Sequence, residues 1–168
     1  MDIYLLRHAI ATPLGEDNHF VDAERALTPA GSKKMREASL GLKELNLGFD
    51  LVASSPLVRA RETAEIVAEV LKFKDRIQLW EELAPGAPIE GVLKRLQTLQ
   101  DNASVLLVGH QPDIGSLATY LIFGSDQISL AFKKGGLCRI QVTELPPQSR
   151  GNLLWMLPPK ILRMIGGR

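Results

Sequence analysis

Two kinds of segment alternate along this chain, and that alternation limits the folds open to it. Short apolar runs, IYLL (3–6), FDLVASS (49–55), IQLW (77–80) and SVLLVGH (104–110), are separated by stretches with apolar residues every three or four positions. Met35, Ala38, Leu42 and Leu45 form one such stripe; Ala60, Ala64, Val67 and Leu71 a second; Ile89, Val92, Leu93, Leu96 and Leu99 a third. That period marks one face of a helix. Thr28 and Pro29 supply an N-cap and a first helical residue for the first stripe. QPDIGSLATYLIF (111–123) reads as a fourth helix.

Strands too apolar to have a wet face, separated by helices, predict a mainly parallel sheet covered on both sides. The expected class is α/β, a three-layer α/β/α sandwich. Two further runs, 137–142 and 153–157, have a loop but no helix between them, so the central sheet should carry an antiparallel edge strand. The rest of the C-terminus reads as a short tail, and residues 12–26 as a long loop. The 168 residues contain no repeat and no linker, so one domain over 1–168 is expected.

Polar residues at the strand ends carry the functional signal. Arg7 and His8 close the first run, Ser54 and Ser55 lead from the second to Arg59 and Arg61, and Gly109 and His110 close the fourth. In a parallel sheet these ends share one edge, where ligands of open α/β sheets bind. Two of the chain's three histidines and at least two arginines would then meet around an anion. Edge strands with solvated ends remain the plain alternative for any one of these residues. The net charge of +1 gives no reason to expect a nucleic-acid or membrane partner. With one cysteine, Cys138, no internal disulfide can form, and its strand context makes it a small buried hydrophobe. Neither a signal peptide nor a membrane span is predicted, and the expected location is cytoplasmic. Spacings typical of metal ligands are missing, so no metal or other cofactor is expected.

LLRHAIA, LTPAGSKKM, VASSPLVRARETAEIV, EELAPG and VLLVGHQPDIGSLA together resemble the successive motifs of the histidine phosphatase superfamily, the phosphoglycerate mutase-like group. Within it the chain is most similar to SixA-type phosphohistidine phosphatases. The resemblance implies a phosphoglycerate mutase-like fold and hydrolysis through a phosphohistidine intermediate on His8. It implies that Arg7, Arg59 and His110 bind the phosphoryl oxygens and that Glu82 is the proton donor, with Glu81 as an alternative. Ala9 departs from the glycine that commonly follows the nucleophile, which puts a Cβ beside the pocket.

The chemistry fits these residue types. Phosphoryl transfer depends on in-line placement and on positive charge around the equatorial oxygens. Arginine's rigid fork matches phosphate, and a neutral imidazole held by its other nitrogen can attack. His110 would serve best protonated. Arg61 should face solvent or a carboxylate, and Arg25 could reach substrate or anchor its loop. His19 is expected to be exposed, and Trp80 and Trp155 to be packing residues. The expected substrate is a phosphorylated protein of the histidine-phosphotransfer type, with inorganic phosphate as product. A small phosphorylated metabolite is the rival substrate, and a non-catalytic phosphate-binding module the rival class.

Overall fold

The computed structural model of the chain describes residues 1–16, 21–73, 77–145 and 150–167. Each expected strand and helix is present: β1 (Asp2–Arg7), α1 (Pro29–Glu44), β2 (Leu51–Ser54), α2 (Val58–Leu71), β3 (Ile77–Leu79), α3 (Ile89–Gln97), β4 (Ser104–Gly109), α4 (Asp113–Phe123), β5 (Leu137–Gln141) and β6 (Asn152–Leu157). The strands form a six-stranded sheet in the order β3-β2-β4-β1-β5-β6. β1 to β4 pair in parallel, β5 runs against β1, and β6 runs against β5. The edge pair is therefore antiparallel. Its reversed member is β5, one place in from the edge.

Alternate residues of the two central strands serve opposite faces. Ile3, Leu5, Val105 and Leu107 pack with Leu96 of α3 and Leu117 of α4. Tyr4, Leu6, Leu106 and Val108 pack with Leu42 of α1, Ala64 of α2 and Leu162 near the C-terminus. Two covered faces are why these strands read as unbroken apolar runs.

One element differs from the sequence expectation. The supposed tail folds as α5 (Pro159–Gly166). Pro158-Pro159 looks like a stop signal, yet Pro159 takes the first helical position, where a fixed φ and a missing N–H cost nothing. α5 lies against α1 at Gly41, where a Cβ would overlap the Leu162 carbonyl oxygen. At the other end of α1, Thr28 Oγ1 accepts a hydrogen bond from Gly31 N at 2.9 Å. A Cβ on Gly31 would overlap the Ile10 carbonyl oxygen, so this glycine lets the loop after β1 sit on the helix start.

β1 and β4 are neighbours, but their following helices cover opposite faces, α1 with Leu106 and Val108 and α4 with Val105 and Leu107. That divergence opens a crevice at the strand ends, the usual ligand position in such sheets.

Candidate active site

The parallel ladder sets the geometry of this crevice. Arg7 is level with Gly109, and the His8 amide donates to the Gly109 carbonyl at 3.0 Å. The next residues, His8 and His110, therefore stand side by side, their ring centroids 5.1 Å apart. They are 6% and 4% exposed, so both imidazoles sit in a nearly dry site. On the far side of β4, Ser54 is level with Val108 and the Ser55 amide donates to the Val108 carbonyl at 3.0 Å. This brings Ser55 Oγ to 2.8 Å from His110 Nε2. The other ring nitrogen of His110, Nδ1, is buried without a hydrogen-bond partner among the described residues.

His8 is held differently. Its Nδ1 lies 2.7 Å from the Ala9 carbonyl oxygen, which can only accept, so Nδ1 carries the proton and Nε2 keeps its lone pair. The Ala9 amide in turn donates to Thr63 Oγ1 at 3.0 Å, and Thr63 Oγ1 donates to the Arg59 carbonyl at 2.6 Å. One buried threonine thus ties the loop after β1 to the first turn of α2. The Cβ of Ala9 joins the core on the α1 face, so the departure from glycine is accommodated by packing.

Arg7 and Arg59 supply the positive charge. Arg7 Nη1 donates to the Phe132 carbonyl at 2.6 Å, while its buried Nε has no partner among the described residues. Arg59 is 5% exposed and its fork is already filled. Nη1 donates to the Asp22 carbonyl at 2.6 Å, and Nη2 to Asp22 Oδ2 at 2.8 Å. Burial pushes the His8 imidazole down to about 4, helped by the nearby charges of Arg59, Arg7 and Lys134. Burial, then His8, Arg59 and Arg7, push His110 down to about 3, against Asp22. The protonation expected of His110 at work must therefore come with the phosphoryl charge itself. With no anion bound, both imidazoles are neutral.

A family model for the histidine phosphatase superfamily (branch 1) matches residues 3–85. The phosphohistidine phosphatase SixA homolog of Haemophilus influenzae is 30% identical over 139 residues, covering 77% of this chain and 82% of the relative. The chain belongs to the histidine phosphatase superfamily. Phosphohistidine phosphatase SixA of Escherichia coli is 27% identical over 166 residues, with 98% of each chain covered. A solved structure of the protein histidine phosphatase SixA complexed with tungstate aligns with a TM-score of 0.84 at 27% identity, covering 96% of this chain and 99% of that one. The chain is thus a SixA-like hydrolase of this superfamily with a phosphoglycerate mutase-like fold.

The other residues singled out in this histidine phosphatase lie further from the histidine pair. Glu82 lines a small pocket together with His110, but its Oε1 accepts from Arg95 Nε at 3.0 Å. Its own backbone amide, joined by Arg95, holds its carboxyl below the usual range against the opposing effect of burial. Glu81 beside it is exposed. Arg61 is half-buried, and its Nε lies 3.6 Å from Glu65 Oε1. Arg25 is a loop anchor, donating to the Thr12 carbonyl and to Asp22 Oδ1, both at 2.7 Å. Trp80 is a core residue and Trp155 packs at the edge of the core. Cys138 is fully buried, and burial pushes its thiol up to about 12. His19 lies outside the described residues.

Sequence reasoning missed Asp22, the Ser55–His110 pair, Thr63 and Lys134. Asp22 sits in a turn of 3-10 helix within an aperiodic stretch, where no pattern marks a partner 37 residues away. Among the described residues no three His, Cys, Asp or Glu side chains gather as metal ligands. No helix among them is long and apolar enough to cross a membrane.

Proposed function

We propose that the enzyme removes the phosphoryl group from phosphohistidine in a protein of the histidine-phosphotransfer type, acting as one domain over residues 1–168. The observation that carries this reading is the paired imidazoles, one with a free Nε2 lone pair, beside the buried guanidinium of Arg59 and the half-buried one of Arg7. The names of the SixA relatives support the choice of substrate.

In the first step His8 Nε2 attacks phosphorus in line, and the bond to the substrate nitrogen breaks with its electron pair leaving on that nitrogen. An imidazole can leave already protonated, which lessens the need for an acid. Glu82 is the donor for leaving groups that need one, once its carboxyl is freed from Arg95 and protonated. In the second step water attacks phosphorus, the His8–phosphorus bond breaks with its electron pair returning to Nε2, and inorganic phosphate departs carrying the protons of the water. Arg7 and Arg59 neutralise the equatorial oxygens in both steps, and His110 hydrogen-bonds one of them through Nδ1. No metal or cofactor takes part in this scheme.

The phosphoryl dianion would displace Asp22 from Arg59. Burial of the Asp22 carboxyl works against ionisation, but the hydrogen bonds and charges of Arg59 and Arg25 prevail and keep it charged. Asp22→Asn removes this competitor, and the inhibition constant for inorganic phosphate should fall by about threefold to fivefold. An unchanged or larger constant, read from inhibition kinetics at low salt, contradicts the competition.

The neutral state of the histidines gives a signed pH dependence. Ring resonances followed by NMR should stay unprotonated through pH 6.5, with His8 titrating near about 4 and His110 near about 3. Both folded values lie below the unfolded histidine value of about 6.5. The stabilisation is therefore complete above that pH and is lost as pH falls toward the folded values. The melting temperature should decline across that window. Inorganic phosphate should reduce the decline by favouring the protonated ring of His110.

The reading itself is tested by kcat/KM for a phosphohistidine protein, a phosphotyrosine peptide and small sugar phosphates, with and without a chelator. A clear preference for phosphohistidine that survives chelation is the expected result. A preference for sugar phosphates would move the enzyme to small metabolites. Phosphate binding with no turnover of any compound would make it a binding module.

A further inference from the structure

A groove opens beside the histidine pair, between the start of α1, the turn at Lys134 and Gly135, and α5. Ala9 and Met35 form part of its floor, and Lys34, Lys134 and Arg163 stand along it. Ala9 follows His8, and the Gly135 amide donates to the Arg7 and His8 carbonyls at 3.0 and 3.2 Å. The groove therefore lies next to the backbone segment that carries Arg7 and His8.

Its charge is unbalanced. Among the described residues no carboxylate lines it. Arg163 approaches Glu37 only to 3.9 Å, and its Nε is buried without a partner among the described residues. Neither Lys34 nor Lys134 has an ion pair among the described residues. Arg7, Arg25 and Arg59 lie close enough to Lys134 that their charges, after burial, lower its pKa. In a chain with a net charge of only +1, the three charged side chains that line this groove are all cationic. The apolar floor suits a methylene stem, and the cations suit an acid at its end.

We propose that this groove binds an aspartate or glutamate side chain of the phosphoprotein substrate, a few residues from its phosphohistidine. The proposal rests on the phosphoprotein reading above and adds a sequence preference to it. A free phosphorylated metabolite reaching only the histidine pair would leave the groove empty.

The test uses phosphohistidine peptides of one length, carrying glutamate or glutamine at each of three positions on either side, with free phosphoramidate as a third substrate. At one position or more, glutamate should raise kcat/KM over glutamine by about fivefold to tenfold at low salt, the sum of two or three exposed ion pairs. Lys34→Glu should bring that ratio to unity or below, Lys34→Gln and Arg163→Gln should each reduce it, and high salt should narrow it. A ratio within about twofold of unity at every position in the unmodified enzyme overturns the groove assignment and leaves the phosphoprotein reading standing. A ratio that persists in all three variants does the same. Turnover of phosphoramidate with neither peptide hydrolysed overturns both.

Discussion

Replacing His8 with alanine should abolish turnover, with kcat/KM falling by on the order of 10⁴-fold or more, because the covalent route disappears with its nucleophile. The fold should survive. His8 is buried but makes one side-chain hydrogen bond, to the Ala9 carbonyl beside it, and the Ala9 amide keeps its separate bond to Thr63. Removing an imidazole that must stay neutral to remain buried should also lessen the loss of melting temperature at acid pH, a readout independent of activity. Enzyme quenched during turnover of a ³²P-labelled substrate should carry acid-labile label in the unmodified protein and none in His8→Ala. Label remaining in the variant, or found on another residue of the unmodified protein, would place the nucleophile elsewhere.

Arg59→Ala should cost about 10²- to 10³-fold in kcat/KM, the usual effect of losing one preorganised donor, about 3–4 kcal/mol. Stability should change far less. The carboxylate left behind, on Asp22, is half exposed and can return to water, while Lys134 loses a like charge nearby. Removing that charge has a sign that pH measurements can check. Arg59 lowers both histidine pKa values, so His8 and His110 should titrate at higher pH in the variant. Arg59→Lys should recover the titration but only part of the rate, since an ammonium lacks the two-pronged fit to phosphate. A cooperative loss of fold in Arg59→Ala would make the residue structural.

Legibility in the sequence followed the physics of each element. β1 and β4 were readable because strands covered on both faces must be apolar throughout, and the residues just past such strands stand out. The meeting of His8 and His110 followed from parallel pairing alone. α5 was not readable because Pro158-Pro159 looks the same whether it ends a strand or also begins a helix; only the packing of Leu162 onto Gly41 separates the two cases. Asp22 escaped because a salt bridge from an irregular loop has no period. The resting charge of His110 was not readable for another reason. The chemistry favours a cation there, but residue types along a chain do not reveal that a ring will be 4% exposed among other positive groups.

Because the two imidazoles extend from the same level of two neighbouring strands, their 5.1 Å separation follows strand spacing, about 4.8 Å in any sheet. Insertions between the strands could lengthen loops, add covers or recruit new partners without changing that interval. A scaffold of this kind lets selection rewrite what is admitted while the reacting pair stays in step.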